Sequence, residues 1–154
     1  MAMYCSSSSS SYCCTILYYI FLHSAYTTQI TFSGWVGDQD PTYYGLKGAL
    51  LNMFASAHMN YVNFGSDIGG YRTDGTPQGR TKDIFLRWAA VGALSPLMEN
   101  GGSGEHRPWM FGDDALEVYR GFAYLHEELR AFFLTEGAEA FDAIPGTTSN
   151  VAML

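Results

Sequence analysis

Two aspartates stand where a carboxyl group could do chemistry. Asp38 closes the segment Gly34-Trp-Val-Gly-Asp38, and Asp67 lies within Phe64-Gly-Ser-Asp-Ile-Gly-Gly-Tyr71. A carboxyl group can lend or take a proton, and glycines beside it let the backbone turn sharply. Both positions also have structural readings. Asp38 in Asp-Gln-Asp-Pro41 could start a turn, and Asp67 before Gly-Gly could be an Asx-turn residue. Trp35 and Trp88 could be core aromatics, which is the preferred reading for Trp88. His58, His106 and His126 are scattered, without the spacing of metal ligands. Glu127, Glu128 and Glu136 suit the water-facing side of a helix.

The elements that must position these groups follow from periodicity. Asp40-Pro41 has the form of a helix start, a capping carboxylate followed by proline at the first helical position. Leu46, Leu50, Met53, Phe54 and Ala57 then recur at near-helical spacing. Tyr61-Val-Asn-Phe64 predicts a short strand that ends where the glycines begin. Ile84, Phe85, Trp88 and Val91 form the apolar face of a second helix closing near Gly92. Leu94 to Met98 reads as a third strand, confined by Pro96 to an edge, a bulge or a barrel wall. Asp114 and Glu117 resemble a capping box for a long helix carrying Leu116, Tyr119, Ala123, Leu129 and Phe133. Helix and strand alternating in this way is the rhythm of parallel βα units. Polar side chains follow the apolar run at Trp35 to Asp38, Phe64 to Asp67 and Met98 to Asn100. In a barrel such ends gather on one face, where catalytic groups sit.

Composition narrows the function classes. The chain has 154 residues, 47% hydrophobic and 16% aromatic, with a net charge of -7 and only 8 Lys and Arg. No basic cluster is present to neutralise a phosphate backbone, which argues against nucleic acid. The length suits one ordinary domain and is too short for a complete (β/α)8 barrel, which needs roughly 200 residues or more. The aromatic load suits either a packed α/β core or a site that stacks on sugar rings. Residues 1–28 differ in kind: a serine run from Ser6 to Ser11, all three cysteines (Cys5, Cys13, Cys14) and an apolar patch from Ile16 to Leu22. That patch is too short to span a bilayer and lacks the basic flank of a signal peptide. The cysteines read as unpaired thiols, since a disulfide-stapled domain would distribute them through its fold.

Taken in order, Gly34-Trp-Val-Gly-Asp-Gln39, Phe64-Gly-Ser-Asp-Ile-Gly-Gly-Tyr71, Arg87-Trp88 and Leu94-Ser-Pro-Leu97 resemble α-glycosidases of glycoside hydrolase family 31. That family shows a Trp-x-Gly-Asp segment, then an Asp-Ile/Val-x-Gly-Phe/Tyr segment, then Arg-Trp followed by a small-x-Pro strand. The resemblance covers about two thirds of the chain. It implies an α/β fold, a partial (β/α)8 TIM barrel made of about its last three βα units. By the same implication Asp38 matches the general acid/base and Asp67 the carboxylate that hydrogen-bonds the sugar. Trp35 matches an aromatic near that sugar, and Arg87 with Trp88 matches residues that support the site. Protonating a poor leaving oxygen requires an acid that stays protonated near neutral pH, and a hydrophobic wall such as Trp35 could raise its pKa.

Two departures from the pattern bear on function. Retaining glycosidases use a second carboxylate about 5 Å from the acid/base, which in the family lies upstream, and no Asp or Glu precedes Asp38 here. Many α-glucosidases of the family carry Arg-x-His where this chain has Glu99-Asn100-Gly101, and His106 beside Arg107 is the candidate substitute. The expected organisation is therefore a leader at 1–28, a partial catalytic barrel at 29–136 and an irregular tail at 137–154, the product of a truncated gene or gene model. The expected ligand is an α-linked oligosaccharide or glycoside, with no cofactor, metal, nucleic acid or membrane. Association with the remaining part of the barrel is a further expectation. A catalytically inactive carbohydrate-binding or interaction remnant is the alternative.

Overall fold

A computed structural model describes residues 34–58, 63–73 and 78–142, the last three by backbone alone. The expected leader, Tyr61 and Val62 of the expected second strand, and the residues from 143 onward lie outside this description.

Three short parallel strands form one sheet in chain order. They are β1 (Gly34–Trp35), β2 (Phe64–Asp67) and β3 (Leu97–Glu99). Helix α1 (Tyr43–His58) joins β1 to β2, and α2 (Lys82–Ala93) joins β2 to β3. A 3-10 turn at Pro108–Phe111 leads into α3 (Asp113–Glu128) and α4 (Arg130–Asp142). The register pairs Gly34 with Phe64, Gly65 with Leu97 and Asp67 with Glu99. Gly65 makes the tight β2–β3 approach possible, because a Cβ there would lie 2.1 Å from the Leu97 carbonyl oxygen.

Helix α1 starts later than Asp40-Pro41 suggests. Pro41 and Thr42 form a bend, and the Thr42 hydroxyl accepts from the Gly45 amide at 2.9 Å while its carbonyl accepts from Leu46. Thr42 is therefore the cap. Leu46, Ala49, Ser56 and Ala57 face the interior, whereas Phe54 is exposed. In α2 the expected face is confirmed at Ile84, Phe85 and Trp88, all buried, and Thr81 caps the helix through the Ile84 amide.

The remaining differences have local causes. Strand β2 continues through Gly65 and Ser66 to Asp67, because hydrogen bonding to two neighbours holds the glycine extended; the turn comes at Ile68 to Gly70. Leu94 to Pro96 is a turn, and the third strand begins at Leu97. The proposed capping box is absent: Gly112 caps α3 with no side-chain bond. Asp114 instead pairs with Lys82 of α2, and Glu117 with Arg120. The long helix breaks at Leu129, and α4 runs to Asp142, past the boundary expected at residue 136.

The core lies between the sheet and α2. Val36, Ile68, Phe85 and Trp88 are all at most 2% exposed. Phe85 stacks on Phe111 at 4.8 Å and on Tyr119 at 5.5 Å, which fixes the 3-10 turn and α3 against α2. Among the described residues no helix is long and apolar enough to cross a membrane.

Candidate active site

Because the strands are parallel, their C-terminal ends face one side. Asp67 is the last residue of β2, its register partner Glu99 is the last of β3, and Asp38 follows β1. Asp67 is 2% exposed and its Oδ2 has no hydrogen-bond partner. Glu99 likewise buries an unsatisfied Oε2. Burial pushes the Asp67 carboxyl up to about 7, reinforced by the nearby charges of Glu99 and Asp38 and opposed by Arg80. Glu99 is also raised, by burial. Asp38 itself is exposed.

The glycines after Asp67 supply a turn that few other residues allow. Gly69 and Gly70 have φ of +81° and +82°, in the region L side chains avoid. A Cβ on Gly69 would also meet Arg80 Cδ at 2.6 Å. Below this turn, Ser66 accepts a hydrogen bond from the buried Trp88 indole at 2.7 Å. Trp88 is thus a core residue that braces β2 from behind.

The other expected site residues are divided. Trp35 ends β1 and is 38% exposed, three positions before Asp38. Arg87 lies on the outer side of α2, bonded to Asp83 at 3.0 Å and stacked over Tyr43 at 5.8 Å. These partners are shared with none of the strand-end carboxylates. His106 lies in the loop after β3, where its Nδ1 meets the Gly104 carbonyl at 3.0 Å and its own carbonyl accepts from Asn100. No group of three or more His, Cys, Asp or Glu among the described residues is placed to hold a metal ion.

Two residues were missed in the sequence. Glu99 gave a weak signal, an acidic side chain ending an apolar strand. Arg80 gave none, since a single arginine after a polar loop resembles any surface cation; yet it is only 7% exposed.

Comparison with known proteins bears on the family and the fold. Residues 18–135 match the model of the "Glycosyl hydrolases family 31 TIM-barrel domain". An alpha-xylosidase of Emericella nidulans is 31% identical over 103 residues, 66% of this chain and 13% of that protein. A 1,6-alpha-glucosyltransferase of Sporosarcina globispora is 28% identical over 101 residues, 64% of this chain and 8% of that one. Among solved structures, a GH31 alpha-xylosidase from a soil metagenome, complexed with xylose, superposes with a TM-score of 0.63 at 19% identity, over 73% of this chain and 20% of its own. A cycloalternan-degrading enzyme from Trueperella pyogenes gives 0.62 at 17% identity, over 70% and 16%. The chain thus has the fold of part of a (β/α) barrel and spans a small fraction of these relatives' length.

Proposed function

The chain belongs to glycoside hydrolase family 31, and on that premise we propose that it forms the acid/base side of an α-glycosidase cleft. The observation that carries this reading is the convergence of Asp38, Asp67 and Glu99 on neighbouring parallel strand ends, close enough for two of them to shift the third. In this reading Asp38, exposed three positions after the partly open Trp35, protonates the departing sugar oxygen and later takes a proton from water. Trp35 offers a face to the pyranose, and Asp67 receives a sugar hydroxyl. At 2% exposure Asp67 is covered, so that contact requires the segments around it to part. Arg87 acts on this cleft only through α2, and His106 only through the loop after β3.

A retaining reaction needs a second carboxylate about 5 Å from the first. None precedes Asp38 in these 154 residues. In this reading the chain alone hydrolyses little or nothing, and catalysis belongs to the barrel completed by further residues in the same or another chain. The unpartnered Oδ2 of Asp67 also fits a second reading, a non-catalytic sugar-binding role that keeps the Asp67 side of the cleft.

Calorimetric titration with α-xylosides and α-glucosides, beside an aryl α-glycoside assay, tests these readings. The expected result is saturable binding weakened at least tenfold by Asp67→Asn, with no turnover. A folded sample with a featureless titration sinks both readings. Turnover abolished by Asp38→Asn would keep the cleft and overturn the claim that the chain alone is inert.

A further inference from the structure

Arg80 carries five N–H donors in a planar fork, and all five are used on backbone carbonyls. Nε donates to Gly69 at 3.0 Å, one terminal nitrogen to Gly70 and Tyr71, and the other to Ser103 (3.2 Å) and Glu105. The first three acceptors follow β2 and the last two follow β3. Asp67 lies between these segments: its main-chain carbonyl accepts from Gly70, and its Oδ1 is 3.0 Å from where a Cβ on Gly101 would be. The segments are also joined directly by the Ser103 amide and hydroxyl, both donating to the same Tyr71 carbonyl. Arg80 has no donor left for a carboxylate, so it acts on Asp67 through its charge and through the loops it ties.

We propose that Arg80 is a positioning residue for Asp67, holding the turn after β2 and the loop after β3 together so that the carboxyl stays enclosed until a ligand parts them. The proposal rests on the reading of Asp67 as the sugar-binding carboxylate, but its test needs no sugar. A lysine would keep the positive charge and lose the fork; a glutamine would lose both.

The experiment is the carboxyl titration of Asp67, followed by carbon NMR in the full chain and in Arg80→Lys and Arg80→Gln. Burial is the main reason the group titrates high, so opening the loops should outweigh loss of the cation. Both variants are expected to lower the Asp67 midpoint by at least about one pH unit, a tenfold change in proton affinity. Gly102→Ala provides an independent check. Its Cβ would lie 2.6 Å from the Tyr71 carbonyl, at φ +124°, parting the same segments with Arg80 intact. It should shift Asp67 in the same direction. An unmoved midpoint in the folded variants overturns the proposal. So does a rise in Arg80→Gln with no change in Arg80→Lys, which would make Arg80 a counter-charge only. Failed sugar binding beside the expected shifts would instead count against the cleft reading alone.

Discussion

At the scale of single residues, the strongest consequence concerns the proton on Asp67. In the folded chain this carboxyl keeps its proton up to about pH 7, whereas an unfolded aspartate loses it near about pH 4. Between those values the native state binds more protons than the unfolded state, so stability must fall as pH rises. The contribution is fully present below about pH 4 and is lost by about pH 7. Glu99 acts in the same direction. The lowered groups, Asp83, Glu105 and Asp114, act in the opposite direction, and only at lower pH. Thermal midpoints measured by circular dichroism should therefore decline across this window in the native chain, and Asp67→Asn should flatten the decline. An unchanged slope in that variant would show that Asp67 does not hold its proton.

At the scale of elements, the start of α1 shows how local signals mislead. Asp40-Pro41 has the residue types of a cap and first turn, but the backbone bends through Pro41 and Thr42 before winding. The Thr42 hydroxyl then satisfies the Gly45 amide. Thr42→Ala should cost about 1 kcal/mol and Thr42→Ser very little, read as shifts in the urea midpoint. Equal losses in the two variants would remove the cap from the account. The same lesson holds at Asp114 and Glu117. Their spacing suits a capping box, but each meets a cation instead, Lys82 of α2 and Arg120 of its own helix. An exposed carboxylate takes whichever donor the packing brings, and only the packing says which.

At the scale of the whole molecule, a small core carries the described sheet. Trp88 and Phe85 are its largest fully buried side chains, and Trp88 also satisfies Ser66 on β2. Truncating a buried tryptophan to alanine costs roughly 3–5 kcal/mol, against about 5–15 kcal/mol for an ordinary domain. Trp88→Ala should therefore abolish or severely lower the cooperative thermal transition and, with it, any sugar binding that depends on Asp67. A sharp transition within a few degrees of the native midpoint would mean that the sheet is held by something other than this contact.

The order of elements was legible from the sequence because burial imposes its own period. Ile84, Phe85 and Trp88 repeat at helical spacing and are buried. The parallel βα rhythm and the family membership also followed from ordered short motifs, which survive in sequence because each is local. Asp38, Trp35 and Asp67 could be proposed as site residues from the same motifs. Where they point could not. That Glu99 lies in register with Asp67, that Arg87 lies over the Tyr43 ring of α1, and that a lone arginine ties two loops all depend on contacts between segments apart along the chain. Tertiary structure alone decided them, because strand register and the desolvation of a charge are set by neighbours that no local pattern specifies.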